Sequence, residues 1–193
     1  MQRQLADIVK AFEAVQARLD RLADNIPDAA WEERTEPGHW SVAECIAHLN
    51  LTSEAYIPRT RAAIAEAKAM NAPKTPKYRK DLPGGFFAMM VGPIPLLGKI
   101  RIGKVKTTND FVPNGSHPKR STLANFKRDQ DTLIELTREG DGLPLDKVKI
   151  KSPFGEKISY NLYSAFVILH RHEHRHLDQA QLVWSRDKSD SPA

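Results

Sequence analysis

The sequence predicts an all-α fold: an antiparallel four-helix bundle with a long insertion between helices 2 and 3. Two observations support this prediction. Four long stretches repeat apolar residues at three- and four-residue steps, and residues 71–120, between the second and the third, are rich in glycine and proline. Four amphipathic helices bury their apolar stripes against one another. The length of 193 residues favours a single domain over residues 1–185, followed by a disordered tail over 186–193.

The first two helices are predicted from their apolar spacing and their end signals. Helix 1 covers residues 3–24, in which the apolar residues share one face. Helix 2 begins after Ser41, a good N-cap, and Glu44 three residues later completes a capping box. Trp40 stands just before the cap, where a hydrophobic staple is expected. Pro58 predicts a kink within this helix.

The last two helices follow the insertion. Helix 3 is predicted over residues 121–139, with Ser121 as its cap and a run of glycine and proline at its end. A segment that alternates briefly between polar and apolar residues then favours a short hairpin. Helix 4 is predicted over residues 159–184.

The insertion at residues 71–120 contains the longest apolar stretch of the chain, residues 86–97. A structureless segment of this length is uncommon inside a domain and is often functional. We expect the apolar stretch to pack against the body of the domain, a partner subunit or a ligand pocket. It is shorter than the roughly 20 residues that a membrane-spanning helix needs.

Composition and charge argue against several classes of function. We find neither a membrane span nor the apolar core of a signal peptide, so we expect no membrane partner and a cytoplasmic location. The net charge is +5, and much of the excess lies between Lys68 and Lys106, where Asp81 is the single acid. Basic loops are usually just solvated, and we expect no nucleic-acid partner. Cys45, the single cysteine, lies on an apolar arc and is predicted to be a core residue rather than a nucleophile.

Four of the seven histidines crowd into one stretch of helix 4. Histidines four residues apart share a helix face and can bind one metal ion. At about 100° per residue, His172 and His176 fall inside the apolar arc, whereas His174 lies outside it and His170 at its far margin. Two ligands do not make a stable site, so a third is expected from another helix. On this helix alone, buried histidines satisfied by hydrogen bonds stay an alternative.

His48, in the middle of helix 2, is the natural candidate for the third ligand. It lies at the border of the apolar arc of its helix, so periodicity alone does not select it. His39 and His117 fall in predicted loops and are weaker candidates.

Two motifs, one in helix 2 and one in helix 4, together resemble the DinB superfamily of four-helix bundles, which includes the YfiT-like proteins classed as metal-dependent hydrolases. The matching residues are Trp40, Ser41 and His48 in helix 2, and His172, Glu173, His176 and Gln179 in helix 4. The resemblance covers roughly residues 3–60 and 121–185 and implies a bundle of DinB/YfiT type. It does not explain the insertion.

The resemblance implies a three-histidine site for a divalent metal ion, with His48, His172 and His176 as ligands and zinc or nickel as first candidates. Histidine ligands suit zinc, nickel, copper and iron alike, so the identity of the metal stays open. The His-Glu-x-x-His run also resembles the helix of zinc proteases, in which the glutamate is the base. The bundle context argues against that role, and Glu173 is expected to support a neighbouring helix or to orient a ligand.

A metal held by three neutral imidazoles keeps open positions, where a bound water or thiol becomes more acidic. The resembled superfamily contains S-transferases and isomerases that use bacillithiol or mycothiol. We therefore expect a metal-dependent enzyme with a small-molecule substrate, either a transferase that uses a low-molecular-weight thiol or a hydrolase; the residues indicate no general acid or base.

Two alternatives stay open: a metal-binding bundle without catalysis, and an interaction protein that uses residues 86–97. A homodimer is expected from base rates alone.

Overall fold

The computed structural model describes residues 1–92, 109–155 and 157–190. It confirms the all-α bundle, with one short hairpin in the described part. The elements are α1 (Arg3–Asp24), α2 (Asp28–Trp31), α3 (Val42–Ala69), α4 (Leu82–Val91), a 3-10 turn (Asn109–Phe111), α5 (Lys119–Glu139), β1 (Lys149–Lys151), β2 (Ser159–Asn161) and α6 (Leu162–Asp190). The strands β1 and β2 pair antiparallel, with Ile150 opposite Tyr160.

The four long helices form the bundle, and contacts between their ends give their directions. α3 packs against α5 and α6, and α1 packs against the same two helices, so α1 and α3 lie at opposite corners. Ion pairs join Arg128 to Glu54 and Lys68 to Glu139, which makes α3 and α5 parallel. Contacts that join the starts and the ends of α1 and α6 make this pair parallel too. The bundle therefore consists of two parallel pairs that run in opposite directions.

The long connection between α3 and α5 follows from these directions. Because the two helices are parallel, the chain that leaves the end of α3 must return along the bundle before α5 begins. Near the start of this connection, the Tyr78 hydroxyl donates a hydrogen bond of 3.3 Å to the carbonyl oxygen of Gly140, at the end of α5. α4 then lies along α6, and Ser116 reaches Glu32 at the opposite end of the bundle. The insertion is thus the return connection of the bundle.

α4 lies so close to α6 that a glycine is required at position 84, whereas at Gly92 the neighbouring atoms belong to the end of a flexible side chain. A Cβ atom on Gly84 would lie 2.2 Å from the Ser164 side chain, and one on Gly92 would lie 2.3 Å from the guanidinium of Arg171. The Nε of Arg171 donates a 2.7 Å hydrogen bond to the carbonyl oxygen of Ala88. This bond satisfies a carbonyl in the last turn of α4, which has no partner within its own helix.

The carboxylate of Asp81 joins the start of α4 to the hairpin and to α6. It accepts hydrogen bonds from the backbone N–H groups of Gly84 (3.2 Å) and Asn161 (3.0 Å), from the Ser164 hydroxyl (3.0 Å) and from the Lys149 ammonium (2.5 Å). Burial alone would raise the pKa of Asp81. The bonds from Lys149 and Ser164 outweigh burial and hold this pKa below its ordinary value.

Two hydrophobic clusters fill the bundle, one toward each end. Tyr56 and Leu169 belong to the first, and Leu49 and Leu177 to the second. Where the clusters meet, the inner positions of α3, α5 and α6 carry polar side chains. We call this set the polar layer; its members are His48, Thr52, Asp129, Gln130, His172, Glu173 and His176.

The sequence missed the start of α5 and the whole of α4. α5 begins at Lys119, and the hydroxyl of Ser121 donates to the carbonyl oxygen of Pro118 (3.0 Å) instead of capping the helix. The signals for α4 were present, since Asp81 is its N-cap and Pro83 stands at its second position. Its high content of glycine pointed to a loop instead.

α6 is displaced at both ends relative to the predicted helix. It begins at Leu162 rather than at residue 159, because residues 159–161 pair with β1. It continues to Asp190, and so enters the tail that was predicted to be disordered over residues 186–193. Residues 191–193 lie outside the described part.

The apolar stretch at residues 86–97 packs in part against the body of the domain, which was one of the expected outcomes. Phe87, Ala88 and Val91 contact the first hydrophobic cluster. Residues 93–97 lie outside the described part of the chain. No helix in the described ranges is long and apolar enough to cross a membrane.

We predict that Asp81→Asn lowers the free energy of unfolding at pH 7 by about 1–2 kcal/mol, because bonds to a carboxylate are replaced by weaker ones. The pKa of Asp81 is lowered in the folded state, so its stabilising effect is present above the unfolded-state pKa and is lost as the pH falls through the folded-state value. Urea unfolding between pH 3 and 7 measures this. Asp20→Asn, at an exposed position of α1, is the control; an Asp81 effect that does not change with pH would contradict the prediction.

Candidate metal centre

Three histidines from two helices meet in the polar layer. His48 comes from α3, and His172 and His176 come from successive turns of α6. The Nε2 atoms of His48 and His172 are 3.3 Å apart, and the three buried side chains offer one nitrogen each within 4.8 Å of the others. Two nitrogens on one tetrahedral zinc ion, at the usual bond length, are separated by about 3.3–3.4 Å. The three side chains could therefore hold one metal ion.

The start of α3, which determines where His48 lies, is fixed by the predicted capping box. The Ser41 hydroxyl accepts a 3.1 Å hydrogen bond from the backbone N–H of Glu44, and the Glu44 carboxylate accepts one of 2.8 Å from the N–H of Ser41. Arg34 donates two further bonds to the same carboxylate. These contacts hold the first turn of α3, two turns before His48.

A backbone carbonyl fixes the tautomer of His48. The Nδ1 of His48 lies 2.7 Å from the carbonyl oxygen of Phe111. A carbonyl oxygen only accepts, so Nδ1 carries the proton, and Nε2 presents a lone pair. The Nδ1 atoms of His172 and His176 are buried and have no hydrogen-bond partner in the described part of the chain. The support for a metal ion therefore comes from His48, whose Nδ1 is paired with a carbonyl oxygen as in metal-ligating histidines and whose Nε2 lone pair lies beside the Nε2 of His172.

The environment keeps all three rings neutral at physiological pH. Burial lowers the pKa of His48, and it lowers the pKa values of His172 and His176 well below the ordinary value. The neighbouring histidine rings and the positive charge of Arg175 each disfavour protonation and lower the pKa values of His172 and His176 further. Neutral imidazoles have the free lone pairs that metal binding requires.

Aromatic side chains enclose the three rings. The Trp40 ring lies 5.1 Å from that of His48 and 6.1 Å from that of His176, centre to centre, and is nearly parallel to the latter. The ring of Phe154, from the hairpin, lies 5.9 Å from that of His172. Trp40 and His176 are partly exposed when backbone and side chain are counted together. The site therefore meets solvent on the side of these two residues.

Glu173 is buried, and its contacts do not suit the base of a zinc protease. Its carboxyl group accepts a 2.6 Å hydrogen bond from the Nε2 of Gln130, which joins α6 to α5 across the bundle. Burial raises the pKa of Glu173 to about 8, so the group is mostly protonated at pH 7. This contact agrees with the expected support of a neighbouring helix.

The other histidines lie apart from the three. The ring of His170 packs edge-on against Phe12 of α1, and His174 is only half-buried. His39 pairs with Glu36 at the surface. Within the described part of the chain, no second group of side chains is arranged to hold a metal ion.

Sequence reasoning missed the residues that orient and enclose the histidines. Phe111 acts through its backbone carbonyl, and because every residue has one, the sequence does not indicate this role. Phe154 lies in the hairpin, and its distance from His172 follows only from the packing of that hairpin. Trp40 was identified as a staple, but nothing in the local pattern places it against His176.

We predict that Glu173→Gln is at least as stable as the parent at pH 7, measured with a chelator present. The folded-state pKa of Glu173 is raised, so the parent loses stability as the pH rises from about 4.5 to about 8. The amide stays neutral, and the advantage of the variant should grow over that range. Glu135→Gln, at an exposed position of α5, should show no such trend. A variant that is less stable than the parent at pH 8 would refute the protonated carboxyl.

Comparison with known proteins gives one family. No curated protein and no solved structure matches the chain significantly. The family model described as the DinB superfamily matches residues 11–180. This range includes all three histidines, the return connection and the hairpin, and it spans most of the 193 residues. The chain therefore belongs to the DinB superfamily.

Proposed function

We propose that this protein binds one divalent metal ion through His48, His172 and His176 and uses it to activate a low-molecular-weight thiol or a water molecule. The observation that carries the proposal is the convergence of three neutral, buried imidazoles, with two Nε2 atoms 3.3 Å apart. Zinc and nickel are the first candidates, since both accept imidazole ligands readily. The reaction would be the transfer of the thiol to an electrophile, or a hydrolysis.

The side chains around the site have separable roles in this proposal. A bound divalent ion would supply Lewis acidity and lower the pKa of a water or thiol placed on it. The carbonyl of Phe111 holds His48 with Nε2 toward His172. Burial keeps the rings unprotonated, and Trp40 covers two of them and limits the access of bulk water. Substrate would enter on the partly exposed side, beside Trp40.

A second candidate is a metal-binding bundle without catalysis. His48 and His172 are only 2% and 9% exposed, which leaves little open surface for a substrate on their side. Metal storage or sensing requires only that the ion reach the site. The two candidates share the metal and differ in turnover.

Metal content of the untagged protein tests the site. We expect about one ion per chain in the parent and its loss in His48→Ala and in His172→Ala, since two imidazoles hold an ion weakly. His174→Ala, from the same stretch of α6, should keep the metal. Because Trp40 stacks on His176, adding Co²⁺ or Ni²⁺ to metal-free protein should also quench tryptophan fluorescence. Metal that survives in both triad variants, or none in the parent after reconstitution, would refute the site.

Turnover assays separate the two candidates. We expect the metal-loaded protein to couple a small thiol to a chlorodinitrobenzene, or to hydrolyse a model ester, at a rate at least tenfold above that of His172→Ala. His174→Ala should keep the parent rate. Full metal occupancy with neither activity, over a panel of thiols and esters, would favour the bundle without catalysis.

A further inference from the structure

The outer face of α4 is apolar and uncovered in the described structure. The inner face packs on α6 through Gly84 and Ala88. On the opposite face, at steps of four and three residues, Leu82, Phe86 and Met89 are 92%, 54% and 55% exposed. We call these three residues the α4 stripe. α4 contains no charged residue, and a helix that is apolar all round normally has both sides covered.

Basic side chains adjoin the start of the α4 stripe. Lys77, Arg79 and Lys80 immediately precede α4, and all three are exposed. Lys149 reaches the same place but adds no net charge there, since it forms an ion pair of 2.5 Å with the Asp81 carboxylate. Asp81 is the single acid between residues 72 and 92, and its bonds turn it toward the hairpin and α6. Three exposed bases therefore adjoin the start of the stripe, while the charge of Lys149 is balanced by Asp81, and Asp141 and Asp146 lie near Tyr78.

We propose that the α4 stripe and these bases dock the protein on an anionic lipid surface. Peripheral membrane sites combine exposed apolar side chains, which enter the acyl boundary, with Lys and Arg side chains that contact the headgroups. This role is separate from the proposed chemistry at the histidines. It is the opposite of the sequence-based expectation of no membrane partner, which rested on the lack of a spanning segment and of the apolar core of a signal peptide.

Other occupants fit the surface less well. A second copy of the chain, packed through the same face, would bring the same three exposed bases together, and they would repel one another. A nucleic acid would engage the bases but would gain nothing from three exposed apolar side chains. A lipid surface uses both features and needs no directional hydrogen bonds from an apolar helix.

Co-sedimentation of the full-length protein with lipid vesicles tests the proposal. We expect binding to phosphatidylcholine vesicles that contain phosphatidylglycerol, little binding to pure phosphatidylcholine, and weakening as salt is raised. Replacing Lys77, Arg79 and Lys80 by Gln together should weaken binding by about fivefold for each base. Replacing Lys10, Arg61 and Lys127, exposed bases elsewhere on the surface, removes the same charge and should change binding less than twofold.

Replacing Leu82, Phe86 and Met89 by Gln together should weaken vesicle binding at least tenfold and leave thermal stability unchanged. Leu182→Gln, at a 48% exposed position of α6, is the control and should bind as the parent does. Absence of binding to the anionic vesicles would overturn the proposal. The proposal would also be overturned if the parent self-associated and the stripe variant did not, which would assign the face to a second copy. Loss of thermal stability in the stripe variant would assign the face to packing within the chain. Oligonucleotide binding that needs the bases but not the stripe would assign it to a nucleic acid.

Discussion

Three imidazoles buried in the middle of a helical bundle impose the constraint on which the rest of this structure depends. A buried polar group without a partner costs free energy, and a buried charge costs more. The rings avoid the cost of a buried charge, because burial lowers their pKa values and keeps them neutral. The Phe111 carbonyl supplies a hydrogen-bond partner for His48, which removes part of the cost of burying polar groups. The close approach of one nitrogen from each ring, with two Nε2 atoms 3.3 Å apart, is the reason to assign a ligand to the site.

The polar layer lies between two hydrophobic clusters that hold it in place. Residues of the first cluster begin one turn from His172 along α6, and residues of the second begin directly after His176. Neither ring can leave the layer without opening a cavity in the cluster beside it. The hydrogen bond between Glu173 and Gln130 adds a tie across the same level. Rigidity at the site thus comes from apolar packing above and below it.

Sequence patterns gave the bundle and the histidines but not the connections. The apolar face of α1 and the capping box of α3 depend only on residues close together in the chain, so the sequence alone predicts them. His172 and His176 were found by their spacing on one helix, whereas His48 lies on another helix, where periodicity alone did not select it and the family resemblance supported it. α4 was missed because its glycines pointed to a loop, and only the tertiary structure shows that Gly84 serves a close contact with α6. The parallel arrangement of α3 and α5 is likewise a property of the packed molecule.

The hydrogen bond from His48 to Phe111 joins the histidines to the return connection, and this has a thermodynamic consequence. Phe111 lies in the segment that carries the chain back along the bundle, far in sequence from His48. A ligand that binds His48 with its proton on Nδ1 also stabilises the position of Phe111 against His48. By linkage, any change that stabilises this position of Phe111 also strengthens binding of the ligand. Substitutions in the connection can therefore change ligand affinity without touching a histidine.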